Sequence, residues 1–300
     1  MIKKVFKAKE NAIRVKAPME LAAFLDIHFK GKSRSDLKNM LTHKRICVNG
    51  TPATRFDQPL QAGDAIMIIT GKVEHKLHHP QLKIVYEDDY VIVVEKEEGL
   101  LSVATGSGRD DITAFSILAD YQMEKNSRNK LFIVHRIDRE TSGLMMFVKT
   151  REAQATLRDN WNESVTERVY LAIVEGVPAR EEDTIVSYLQ EDRSFIVHSH
   201  RRDDGRSKKA ITHYRVIRKN ADYSMLKVEL DTGRKNQIRV HMQDIGHSIV
   251  GDFKYGATSS PIGRIGLHAQ SLAFIHPITK EILRFETPVP KKFSALFAKN

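Results

Sequence analysis

Cysteine is almost missing, since Cys47 is the only one in 300 residues. No intrachain disulfide and no Cys-x-x-Cys metal site can form, and a lone buried Cys ordinarily serves as a small hydrophobe. Long apolar runs are missing too. No stretch approaches the roughly 18 residues of a membrane helix. The basic N-terminus, MIKKVFKAKENAIRVKAP, has no apolar core of signal-peptide length. A cytoplasmic protein is therefore expected. Gly106-Ser107-Gly108 is too short for a nucleotide fingerprint, and there is no repeat or low-complexity tract. His75, His78 and His79 lack an acidic or cysteine partner set, so a solvated linker is expected there and no metal site.

What is present reads as a globular chain, 41% hydrophobic and 29% charged. Its length suits one large domain or two ordinary ones. Net charge is +10 with a pI near 9.5. Residues 1–80 hold 15 Lys/Arg against 7 Asp/Glu, while the remaining 220 hold 33 against 31. A basic excess concentrated in the first quarter points to an anionic partner, most commonly nucleic acid. No amphipathic helix with an aromatic anchor accompanies it, so a membrane partner is not expected. A monomer is the default expectation.

The chain divides into residues 1–70, a polar linker over 71–81, and residues 82–300. In the first part, MELAAFLDIHFK places Leu21, Phe24, Leu25 and Ile27 at helical spacing. KSRSDLKNMLTHK follows, with Ser33 or Ser35 as N-cap. Asn49-Gly50 is a hairpin signal, and a second turn falls at Ala62-Gly63-Asp64. Arg34 and Lys38 are one helical turn apart and share a face. In the second part, KIVYEDDYVIVVEK reads as a hairpin, AFSILADYQMEK and REAQATLRDNW as helices. LMMFVKT, VYLAIVEG, ITHYRVIRK, YSMLKVELDTG and LHAQSLAFIHP read as strands. Many strands with few intervening helices favour an α+β fold with a mixed, mostly antiparallel sheet over a doubly wound one.

Three features could carry chemistry. In HRIDRETSG, Asp138 stands between Arg136 and Arg139. Flanking guanidinium groups favour the carboxylate, so its pKa should fall. The expected turn at Thr141-Ser142-Gly143 would aim it from the start of the LMMFVK strand. In DTGRKNQIRVHMQDIGHSIVGD a helix is expected over about 235–245 with Gly246 at its end. Ile238, Met242 and Ile245 form its apolar face, with Asn236, Arg239 and Gln243 opposite. Arg239 is then free to pair with a carboxylate elsewhere. Tyr170, on a strand, is ordinary core filler, or a ring that stacks on a splayed-out base.

Residues 13–70, through SRSDLKNMLTHKRICVNG and the later GD, resemble the αL-type RNA-binding domain. That resemblance implies that Arg34, Lys38, Lys44 and Arg45 face RNA phosphates. HRIDRETSG, VYLAIVEG, TGRKNQIRVH, GDFKYG and LHAQSLAFIHP, in that order, resemble the RluA-type pseudouridine synthases from about Leu82 onward. The implied fold is the pseudouridine synthase fold, and the implied reaction isomerises uridines in ribosomal large-subunit RNA or tRNA. The resemblance makes Asp138 the catalytic residue, sets Tyr170 on the target base, pairs Arg239 with the aspartate and uses Arg136 to hold RNA. It implies no cofactor and no metal. Two departures stand out. Lys96-Glu97-Glu98-Gly99 replaces the usual Lys-Pro-x-Gly, which bears on RNA contact at that loop. Asn236 replaces a usual His; it can hydrogen-bond but cannot titrate near neutrality, which leaves it a positioning role at the RNA.

Rival readings follow from the same residues. A metal-dependent nuclease would draw on Asp88-Asp89, Asp110-Asp111 and Asp203-Asp204, all in expected turns without a convergent basic partner. A glycosidase would require two carboxylates at fixed separation, and only one stands out. A non-catalytic RNA-binding protein retaining the fold would scatter Asp138, Tyr170 and Arg239.

Overall fold

In the computed structural model, the described residues are 12–29, 31, 33–42, 45–68, 76–104 and 111–298. Two compact units meet in the chain between Lys76 and Leu77. The first contains β1 (Ala12–Arg14), β2 (Met19–Glu20), α1 (Leu21–His28), α2 (Arg34–Thr42), β3 (Ile46–Val48), β4 (Thr51–Pro52), β5 (Pro59–Leu60) and β6 (Ala65–Ile68). Leu21, Phe24 and Leu25 of α1 and Leu37, Met40 and Leu41 of α2 pack together, whereas Ile27 is exposed. Ser33 caps α2: its hydroxyl accepts from Asp36 N at 3.1 Å, and the Asp36 carboxylate reaches back to Ser33 N. Asn49 and Gly50 both take positive φ in the β3–β4 turn, as a tight hairpin demands.

The second unit runs β7 (Leu82–Glu87), β8 (Val91–Lys96), α3 (Ala114–Lys125), β9 (Phe132–Ile133), β10 (Ser142–Val148), α4 (Arg151–Asp159), α5 (Trp161–Ser164) and β11 (Glu167–Glu175). It continues with β12 (Glu182–Glu191), β13 (Val197–His200), β14 (Lys208–Lys219), β15 (Tyr223–Leu230), α6 (Gln237–Asp244), β16 (Leu267–Ile275), β17 (Ile282–Glu286) and α7 (Lys291–Ala295). Its strands form one sheet in the order β13-β12-β14-β15-β11-β16-β10-β8-β7, with β17 on β16 and β9 on β10. Among the described strands, only β10 and β16 pair in parallel; the other strand pairings are antiparallel. The mixed, mostly antiparallel α+β architecture is thus the one expected. The strands β9, β12, β13 and β17 were not.

The middle of the sheet is covered on both sides, which is why LMMFV is apolar without alternation. Met145 and Phe147 face α3 through Leu118 and Tyr121, whereas Leu144, Met146 and Val148 face α4 through Ala153 and Leu157. Further along, Ala172 and Val174 meet Ile238 and Met242 of α6, and Leu171 and Ile173 meet Phe293 of α7. The expected turn at Ser142-Gly143 is absent, because both residues already belong to β10. Gly143 is needed for another reason. Its φ is +111°, and a Cβ there would stand 2.1 Å from Ala269 O on β16. The close parallel junction tolerates only glycine.

One carboxylate ties the far edge together. Glu87, at the end of β7, accepts from Lys125 Nζ at 2.7 Å, Lys149 Nζ at 2.6 Å, Gln122 Nε2 at 2.8 Å and Tyr121 OH at 2.9 Å. Burial opposes its charge, but these donors win and draw its pKa from 4.5 down to about 2. A pKa depressed by folding stabilises the folded state above the unfolded value and ceases to do so as pH falls through the folded one. Stability should therefore drop between about pH 4.5 and 2, read as the urea midpoint. Glu87→Gln should be less stable at pH 7 and show a flatter profile over that window. An unchanged acid slope in the variant would contradict this role. Among the described residues, no helix is long and apolar enough to cross a membrane.

Candidate active site

The loop between β9 and β10 carries HRIDRET, and it is fastened along its length. The half-buried His135 ring accepts the Met146 N–H at Nε2, 2.9 Å, and desolvation lowers its pKa to about 3, so it is neutral. Ser102 Oγ donates to Ile137 O at 2.6 Å. Arg139 O accepts from Gly99 N at 2.8 Å and from the buried Lys96 Nζ at 3.2 Å. Asp138 lies between these anchors, so its carboxylate is aimed by fixed backbone.

It points at Arg239. Nη1 of Arg239 is 3.7 Å from Asp138 Oδ2, an ion pair without hydrogen-bond geometry, and 3.9 Å from Glu140 Oε2. Asp138 retains 24% side-chain exposure, whereas Arg239 retains 8%. Desolvation raises the Asp138 pKa; Arg239 and Arg136 pull it down and Glu140 pushes it up, with a net upward shift. The expected fall is therefore wrong. Burial outweighs the cations, and Arg139 is spent elsewhere, donating from Nε to Gly99 O at 3.1 Å.

Arg239 also corrects the helical-wheel reading. Residues 237–242 of α6 are all buried, Arg239 among them, and only Gln243 and Asp244 in its last turn are exposed. The arginine is held by Asp252, whose Oδ2 and Oδ1 accept from Nε at 2.6 Å and Nη2 at 2.7 Å. The guanidinium lies 5.0 Å from the centre of the Tyr255 ring. Burial works against its charge, but Asp252 more than compensates and the net pKa is raised. With Nε and Nη2 engaged, Nη1 is the edge turned to Asp138. Asp252 was missed from sequence, although it stands in the quoted GDFKYG.

A cleft of about 460 Å³ opens over this pair. Arg136, Asp138, Tyr170, Asn236 and Arg239 all line it, together with Arg158, Trp161, Arg168 and Arg234, which sequence reasoning passed over. Tyr170 packs at the meeting of two core clusters. Burial pushes its phenol up to about 12, with Arg168 opposing and Asp138 adding to the shift, so it stays protonated. Arg168 donates to Leu230 O at 2.9 Å and lies over the Trp161 ring at 6.0 Å. Cationic walls and aromatic faces around one carboxylate suit an anionic polymer with a base turned inward.

The two departures acquire partners. Asn236 is buried at the start of α6 in the left-handed region, φ 53°. Its Nδ2 donates to Tyr255 OH at 2.9 Å, and its Oδ1 accepts from Arg239 Nη1 at 3.4 Å. Of the two acids after Lys96, Glu98 is matched internally by Arg264 at 2.7 Å. Arg34 and Lys38 are exposed and Arg45 half-buried in the first unit, and Lys44 lies outside the described residues. The acidic pairs of the nuclease reading build turns. Asp88 accepts from Tyr90 N and Val91 N, Asp203 from Gly205 N, and Asp204 from Arg206 N and Ser207 N, while Asp110 lies outside the described residues. Among the described residues, no three His, Cys, Asp or Glu are grouped to hold a metal.

Fold and cleft together bring one carboxylate, one buried arginine and one tyrosine to a single basic cleft. Residues 90–244 match the family model for RNA pseudouridylate synthase. A Bacillus subtilis protein named uncharacterized RNA pseudouridine synthase YjbO is 37% identical over 72% of this chain and 75% of its own. The Nitrosomonas europaea ribosomal large subunit pseudouridine synthase D is 33% identical over 96% and 87%. The protein of the same name from Vibrio cholerae is 34% identical over 87% and 85%. Human RNA pseudouridylate synthase domain containing 4 shares the fold, with a TM-score of 0.57, 20% identity, and coverage of 70% of this chain and 90% of that one. The chain belongs to the RNA pseudouridylate synthase family.

Proposed function

We propose that this enzyme isomerises uridines of ribosomal large-subunit RNA in the cytoplasm, with Asp138 as the catalytic carboxylate. The observation that carries the reading is the partly exposed Asp138 carboxylate 3.7 Å from buried Arg239, inside a cleft lined by arginines. Tyr170 supplies a protonated aromatic face for the uracil, and Arg136, exposed on the same rim, holds RNA beside the flipped nucleotide. Asn236 positions the arginine. In the first unit, Arg34, Lys38, Lys44 and Arg45 add phosphate contacts that give affinity without sequence choice. The relatives named for the large ribosomal subunit, matched over most of their length, support that RNA as substrate.

The reaction conserves every atom. The bond from uracil N1 to the sugar breaks, a bond from C5 to the sugar forms, and the C5 hydrogen leaves as a proton while N1 gains one. Nothing is oxidised, so no reductant is demanded. The lost C5 hydrogen provides the test. RNA transcripts made with 5-tritiated uridine should release tritium to water when incubated with the protein. Release is expected from large-subunit ribosomal RNA; release from tRNA alone would overturn the substrate assignment.

A further inference from the structure

The β12–β13 hairpin tip is built against its own local preferences. Phe195 has φ 60°, in the region where glycine or asparagine is usual and a bulky residue is disfavoured. Its ring is 69% exposed and joins none of the hydrophobic clusters among the described residues. Backbone and burial both argue against phenylalanine at this position, and packing returns nothing. An outlier of this kind is grounds for a functional hypothesis.

The tip is nonetheless well ordered by Asp192. One carboxylate oxygen accepts from Ser194 N at 2.8 Å and Ile196 N at 2.9 Å. Two lysines converge there. Lys254 Nζ donates to Phe195 O at 2.8 Å, and Lys235 Nζ, ion-paired with Glu191, lies 5.4 Å from the Phe195 ring centre, so a phosphate there would take the place of Glu191. Phe253, next to Lys254 in a one-turn 3-10 segment, is 65% exposed. The patch is tied to two cleft residues, Asn236 and Arg239, by the buried Tyr255 beneath it. The Tyr255 hydroxyl accepts from Val197 N of β13 at 3.1 Å and from Asn236 Nδ2 at 2.9 Å, and its ring underlies Arg239.

We propose that Phe195 and Phe253 form a stacking subsite for unpaired bases flanking the target uridine, with Lys235 and Lys254 on the adjoining phosphates. Exposed rings beside cations are what single-stranded RNA requires, since every base has a stacking face and every linkage a negative charge. A rigid tip presents its ring without an ordering cost on binding. The inference rests on the functional reading above and deepens it.

Two measurements on the full chain test it. The first is the Kd for a fluorescein-labelled, mixed-sequence, single-stranded RNA 20-mer. The second is tritium release from the large-subunit RNA transcript. Phe195→Asn relieves the backbone and removes the ring; combined with Phe253→Ala, it should raise Kd and KM about tenfold or more. The kcat should stay within about twofold and Tm should not fall, while Phe195→Trp should keep wild-type binding. An unchanged Kd in the double variant overturns the subsite, as does a fall in Tm with Kd unmoved. If wild-type protein releases no tritium from any RNA, the functional reading fails, and the 20-mer comparison still decides whether the rings bind RNA.

Discussion

Asp138→Asn should abolish tritium release, by about four orders of magnitude or more, while RNA binding stays within about threefold. The amide keeps the size and fastened backbone of the carboxylate but supplies no anionic oxygen. The fold should survive, because Asp252 still holds Arg239 at 2.6 and 2.7 Å. RNA affinity comes mainly from cations on phosphates, and removing an anion from the cleft does not weaken that. The wild-type pH profile carries the same information. With the Asp138 pKa raised by desolvation, the acidic limb of the rate should lie above the ordinary carboxylate range. Activity should fall as pH drops through that raised value. Full activity of Asp138→Asn would remove the carboxylate from the mechanism.

Asp252→Ala should cost both stability and rate. The Asp252 side chain is 1% exposed and that of Arg239 8%, so the substitution leaves a buried guanidinium without its close partner. Breaking a buried pair from one side typically costs about 3–5 kcal/mol, because the remaining charge has lost both its partner and water. Urea unfolding should show a loss of that order. The rate should fall by at least about tenfold even where the variant is folded, since the two-point clamp that turns Nη1 toward Asp138 is lost and only the long Asn236 contact remains. Asp252→Asn retains part of the hydrogen bonding and should be intermediate in both assays. A urea midpoint equal to wild type in Asp252→Ala would show that Arg239 is held by something else.

Much of this was legible in the sequence, for identifiable reasons. The unbroken LMMFV run signalled a strand covered on both faces, and Asn49-Gly50 signalled its hairpin. HRIDRETSG pointed at the carboxylate because acid and base alternate where a strand starts. What failed depended on burial. Helical spacing put Arg239 on an outer face with Gln243; Gln243 is exposed, but the first turns of α6, Arg239 included, are buried. The sign of the Asp138 shift followed neighbouring charges and ignored desolvation. Asp252 was unreadable as a partner because 13 residues and a loop separate it from Arg239. Strands β12 and β17 escaped because polar and charged residues are mixed among their apolar ones and most of their residues are exposed or half-buried.

The parallel junction of β10 and β16 has a consequence for assembly. It brings Ser142 and His268 within 2.7 Å although 126 residues separate them. Closing so long a loop carries an entropic cost that local hairpins avoid, and such contacts slow folding. On a translating ribosome, the hairpin of β7 and β8 can form early. The seam beside the Asp138 loop has to wait for the strand that begins at Leu267. A growing chain thus carries the Asp138 carboxylate long before it has a cleft to put it in, and can close that cleft only after β16 has emerged.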